Sequence, residues 1–123
     1  MLTLLITAVL SCPSDQLLDA IREVESNGNV CAVGDGGSAV GAYQIHKIYV
    51  DDVNRIAGTN YTYDDRLDER KSREMVKVYL THYGKGLSEF DLARLHVGGP
   101  DGHKQACTLS YANKVMAIMK KGE

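Results

Sequence analysis

Five stretches of this chain repeat their apolar residues every three to four positions, with glycine, proline or polar clusters between them. The first begins at Pro13–Ser14–Asp15. Ser14 can accept from free backbone amides there, and Asp15 and Asp19 suit the positive end of a helix. Leu17, Leu18, Ile21, Val24 and Glu25 then share one arc, with Arg22 and Glu23 pointing away. Asn27 and Gly28, which tolerate positive φ, end the helix. A second helix is expected through Ile48, Tyr49, Val53 and Ile56, ending at Gly58. A third runs from Asp68 to about Tyr83, with Met75, Val76, Tyr79, Leu80 and Tyr83 on its apolar face. Ser88 and Asp91 form a capping box for a fourth, which carries Phe90, Leu92 and Leu95. Thr108 caps a fifth, with Ala112, Val115, Met116 and Met119 inward and Lys120 and Lys121 at its negative end.

Between the helices, the pattern is different. Gly34–Gly41 reads GDGGSAVG, and Ala39–Ile45 reads as a strand or extended segment. Asn60–Asp65 reads as a polar loop, and residues 96–102, HVGGPDG, as loop. The expected fold class is therefore α+β, mostly α, with about five helices and one small extended element.

Length and composition narrow the reading. At 123 residues with 44% apolar and 24% charged positions, the chain is a single domain with one core. A net charge of -2 gives no basic surface for non-specific nucleic-acid binding. Met1–Leu10 is apolar but too short to span a bilayer. It is similar to the core of an export signal, although it lacks a basic start. Val9–Cys12 loosely resembles a lipoprotein cleavage box, which would leave Cys12 acylated. The division expected is a leader at 1–12 and a domain at 13–123, with a secreted or cell-envelope location; the competing reading is an N-terminal element packed on the domain. Cys31 and Cys107 could pair if the protein is exported, and no cysteine shows metal-ligand spacing.

Candidate chemistry centres on Glu25. A carboxylate among aliphatic side chains is desolvated, which favours its neutral form, and a neutral carboxylic acid is a general acid at neutral pH. The plainer reading is a helix cap or an ion pair at the edge of the core. The glycine-rich loop has neither phosphate-binding pattern, so Asp35 within it is a second catalytic carboxylate or a turn former. His46 and His96 flank these segments, where a lone histidine is more commonly packed or solvated than catalytic.

Three pieces in order resemble a known family. Glu25–Ser26 ends a helix, GAYQI spans Gly41–Ile45, and ARLHVGGP spans Ala93–Pro100. Together they resemble the signatures of the lysozyme-like superfamily, which includes lytic transglycosylases and goose-type lysozymes. With Val24–Ser26, Asp35–Ser38, Ala93–Gly102 and Thr108, they are most similar to invertebrate-type lysozymes and their bacterial relatives. The resemblance covers about Leu17 to Met119. It implies a lysozyme-like fold with a β-hairpin at the cleft and cleavage of the bond between N-acetylmuramic acid and N-acetylglucosamine in peptidoglycan. It implies Glu25 as general acid and Asp35 as nucleophile or stabiliser. Ser38, Tyr43, Gln44, His96, Gly98 and Gly99 would line the sugar cleft. The partner implied is the glycan strand, bound by a monomer without metal or cofactor. A transglycosylase using Glu25 alone, or a glycan-binding module without activity, are the alternatives. Val97 stands where the family carries Asn, and His103 stands where a Cys is usual.

Overall fold

The computed structural model describes residues 12–122. The leader, or lipid-modified, segment expected at residues 1–12 lies outside them but for Cys12, which is exposed. Five α-helices carry the fold: α1 Asp15–Ser26, α2 Lys47–Ala57, α3 Glu69–Tyr83, α4 Glu89–Gly98 and α5 Leu109–Lys121. Strands β1 Val33–Gly34 and β2 Ala39–Val40 pair antiparallel, with Val33 opposite Val40 and Gly34 opposite Ala39. The fold is α+β and mostly helical, as the periodicity predicts.

Local chemistry sets the helix ends. The Ser14 hydroxyl accepts from the Leu17 amide at 3.1 Å, and Asn27 closes α1 in the left-handed region. Gly58 closes α2 in the same way. Asp68 caps α3 through the Lys71 amide, and Ser88 caps α4 through the Asp91 amide. The α1, α3, α4 and α5 faces meet in one core around Leu17, Ile21, Met75, Leu80, Leu95 and Val115. Helix α5 packs on α1 and α4, and α3 lies between α2 and α4.

Four expectations need correction. Residues 41–44 are not strand but a tight turn, closed by reciprocal backbone bonds between Val40 and Ile45. Gly41 and Gln44 both take positive φ in it. Helix α4 runs on through His96–Gly98 instead of ending in a loop, because Gly98 packs flush against Thr108. Thr108 does not cap α5 through its side chain: its hydroxyl accepts from Arg94 Nε and donates toward the Gly102 and Gln105 carbonyls. Within the polar loop, Tyr63–Leu67 forms a 3-10 turn.

Candidate active site

Glu25 sits in the last turn of α1, where the apolar arc meets the turn at 41–44. The next residue fastens the two together. Ser26 donates its hydroxyl to the Ala42 carbonyl at 2.7 Å and accepts from the Gly28 amide at 3.1 Å. The adjacent Tyr43 carbonyl is 3.0 Å from His96 Nε2. A carbonyl only accepts, so Nε2 carries the hydrogen and the neutral ring accepts at Nδ1. Tyr49 on α2 supplies the matching hydroxyl at 3.1 Å. Tyr49 is held in turn by stacking on Tyr79, with ring centroids 3.8 Å apart.

The Glu25 side chain is 17% exposed and does not stand among aliphatic groups alone. Its Oε2 accepts from the Tyr111 hydroxyl at 2.8 Å and lies 3.4 Å from His96 Nε2. Burial pushes the Tyr111 hydroxyl well above its ordinary range, and the Glu25 carboxylate adds to this, so Tyr111 donates at neutral pH. Burial raises Tyr49 in the same direction, with smaller contributions from Tyr79 and Glu25. Tyr111 is the hydrogen-bond donor to Oε2, since the one Nε2 hydrogen of His96 is spent on the Tyr43 carbonyl, and Oε1 makes no hydrogen bond among the described residues.

Replacing Tyr49 by Phe tests this scaffold. It leaves His96 Nδ1 a buried acceptor with no partner, a loss of roughly 1–3 kcal/mol. Urea unfolding of Tyr49→Phe beside wild type measures it, and an unchanged midpoint would show that the Tyr49–His96 bond does not form.

His96 opens onto a cavity of about 560 Å³, whose wall also carries Tyr49, Tyr79, Val97, Gly99 and Pro100. Its opposite rim carries His46 and Ile48 at the start of α2. Ile48, expected to face the core, is 77% exposed and belongs to this rim. His46 Nε2 is 3.1 Å from Asp35 Oδ2. Asp35 stands on the 3-10 turn Asp35–Gly37 with φ of 49°, its side chain 70% exposed. One cavity is thus bounded by the histidine that touches Glu25 and by the histidine that touches Asp35. Neither Asp35 nor Glu25 itself lines it.

The remaining sequence candidates divide. Gly99 lines the cavity, while Gly98 packs on Thr108. Ser38 is exposed; its hydroxyl donates to the Asp35 carbonyl at 2.8 Å. Two expectations are corrected. Tyr43 is fully buried, and its hydroxyl accepts from Arg73 Nη1 at 3.0 Å, so only its carbonyl serves the site. Gln44 spends both amide hydrogens on the Ala32 and Gly41 carbonyls, so it staples the hairpin.

Comparison with known proteins follows from this geometry. No family model and no curated protein matches the chain. Solved structures do. One is a chain of the crystal structure of Aeromonas hydrophila PliI in complex with Meretrix lusoria lysozyme. It is 27% identical with a TM-score of 0.74, over 86% of this chain and 90% of that one. Another is Tapes japonica lysozyme, 28% identical with a TM-score of 0.71, over 85% of this chain and 89% of that one.

The chain has the lysozyme-like fold of the invertebrate type. This lysozyme-like domain departs from the pattern at two places. Val97 puts an exposed apolar side chain on the cavity wall where the family carries an amide. Cys31 and Cys107 stand free and exposed, without the pairing expected for an exported chain. Among the described residues no helix is long and apolar enough to cross a membrane.

Sequence reasoning missed Tyr49 and Tyr111 as parts of the site. Tyr49 falls on the apolar arc of its helix, and Tyr111 is not singled out by the sequence pattern at all. The signal available was a polar-tipped aromatic on such an arc, which needs a hydrogen-bond partner when buried.

Proposed function

We propose that this protein cleaves the glycan strands of peptidoglycan between N-acetylmuramic acid and N-acetylglucosamine, with Glu25 as general acid. The observation that carries the reading is the placement of the Glu25 carboxyl. Tyr111 holds Oε2, and His96, 3.4 Å from that oxygen, lines the main cavity; Oε1 makes no hydrogen bond among the described residues, which leaves it free to carry the general acid's proton. As the bond from the anomeric carbon to the leaving oxygen breaks, that proton passes to the oxygen. Positive charge develops on the sugar ring. The Asp35 carboxylate then bonds to the anomeric carbon or shields it, and Glu25, now a base, takes a proton from the water that completes hydrolysis. The lysozyme-like fold and the order of the motifs support this assignment of substrate.

A second reading has one observation in its favour. The Asp35 side chain is 70% exposed, whereas that of Glu25 is 17% exposed. A lytic transglycosylase needs no second carboxylate, because the 6-hydroxyl of the substrate closes on its own anomeric carbon. Asp35→Asn separates the two. For a retaining hydrolase the rate falls by about 10²-fold or more, the scale of losing a group that acts only in the transition state. For a transglycosylase it changes little. Mass spectrometry of the products gives reducing ends in the first case and anhydro ends in the second.

A further inference from the structure

On the far side of His46 and Ile48 from the main cavity lies a second hollow of about 470 Å³. Its wall carries Lys47, Arg66 and the glycine-rich stretch at Gly36–Ser38. We infer that this hollow binds a carboxylate carried on the glycan, on the lactyl arm of the muramic sugar or on the peptide attached to that arm. The inference rests on the glycan reading above for its ligand, and on three features of the hollow for its charge.

Arg66 is the first. It is 7% exposed, and its Nε and Nη1 donate only to the Tyr63, Ile45 and Ser38 carbonyls. Among the described residues no carboxylate pairs with it, and Nη2 has no acceptor. Buried charges are ordinarily paired, so this guanidinium has a full positive charge to offer at the hollow it lines. The second feature is the N-terminus of α2, an eleven-residue helix. His46 provides no side-chain cap, and the amides of Lys47 and Ile48 have no acceptor among the described residues. Both residues line the hollow, so free amides and the positive helix end face an anion there. The third is the Lys47 ammonium, which makes no ion pair among the described residues and rests 5.1 Å over the Tyr63 ring. Of the acidic neighbours, Asp35 is turned onto His46 and Asp51 accepts from the Tyr63 hydroxyl, and neither lines the hollow.

Placement decides the ligand. His46 and Ile48 form walls of both hollows, so a strand lying in the main cavity borders the hollow that Arg66 and Lys47 line. Uncharged chitin oligomers have nothing to place there, whereas muramic-acid strands carry a carboxylate on every second sugar. The hollow would therefore select acidic strands over neutral ones.

Calorimetry on the full chain in the Glu25→Gln background, where ligand survives, tests this with three probes. They are a neutral N-acetylglucosamine oligomer, a peptide-free glycan oligomer with free lactyl carboxylates, and the same oligomer bearing its stem peptides. At low salt a carboxylated probe should bind about tenfold more tightly than the neutral one. That advantage should fall to within about twofold in Lys47→Gln, which gives up only the contact with the Tyr63 ring, and in about 0.5 M salt. Preference for the peptide-free probe assigns the site to the lactyl carboxylate, and preference for the other assigns it to the peptide. Equal affinity for charged and neutral probes overturns the inference. If no probe binds, the glycan reading fails, and titration with N-acetyl-D-alanine decides the hollow alone. Shifts of the Lys47 and Ile48 amide resonances would keep it as a carboxylate site, and their absence would remove it.

Discussion

Glu25→Gln is expected to lower the rate of glycan cleavage by about 10³- to 10⁴-fold, the upper range for loss of a positioned proton donor. The variant keeps the shape of the side chain. Its amide oxygen can still accept from the Tyr111 hydroxyl, which lies 2.8 Å from Oε2 in the native arrangement. The side chain also retains some exposure, so no fully buried charge is stranded beside His96. Stability should therefore change by less than about 1.5 kcal/mol, the net value of one hydrogen bond. Rate and unfolding midpoint measured on one preparation separate the two roles. A loss of several kcal/mol, the scale for breaking a buried ion pair, would make Glu25 a structural residue and remove the reason for assigning it the proton.

Gly41→Ala carries the largest expected cost to stability. Gly41 has φ of 89°, and a Cβ there would lie 1.9 Å from the Arg66 carbonyl oxygen. That oxygen belongs to backbone, and it also accepts from the Ser72 hydroxyl at 2.9 Å, so it cannot easily withdraw. The turn would have to move instead. The Gly41 amide would lose its 2.8 Å bond to the Ala32 carbonyl, and the Ala42 and Tyr43 carbonyls would leave Ser26 and His96. Left-handed strain and steric displacement together should cost about 3–5 kcal/mol, read by urea unfolding. Gly36→Ala is the control. Its φ of 67° is also positive, but nothing lies within 4 Å of the added methyl, so only the backbone strain remains, about 1 kcal/mol. Equal costs for the two would show that the close approach to Arg66 does not hold the turn.

The helices were legible because amphipathic spacing and capping chemistry are local. Ser14, Asn27 and Gly58 act within a few residues of themselves and end or start their helices as predicted, while Ser88 caps α4 but Asp91 turns to Arg94 and does not complete the capping box. The turn at 41–44 was not legible. Alternating small, aromatic and polar residues match a strand, whereas Gln44 takes positive φ and its side-chain amide donates both to the nearby Gly41 carbonyl and to the more distant Ala32 carbonyl. Gly98 and Gly99 suggested a loop, whereas the fold uses Gly98 as a helical residue that fits against Thr108. Apolar character misled at Ile48, which rims the cleft, and aromatic character misled at Tyr43, which is core. The residues around Glu25 come from α1, α2, α4 and α5, and only the packing of those helices brings Tyr49, His96 and Tyr111 together. The missing counter-ion of Arg66 was equally out of reach, since its burial depends on three carbonyls from two separate segments.

The most direct test of the account is release of soluble fragments from purified, insoluble peptidoglycan by the wild-type protein, with Glu25→Gln run beside it. The account predicts fragments whose new ends lie at N-acetylmuramic acid, and their disappearance in the variant. No release by the folded wild-type protein, or equal release by both proteins, would contradict it.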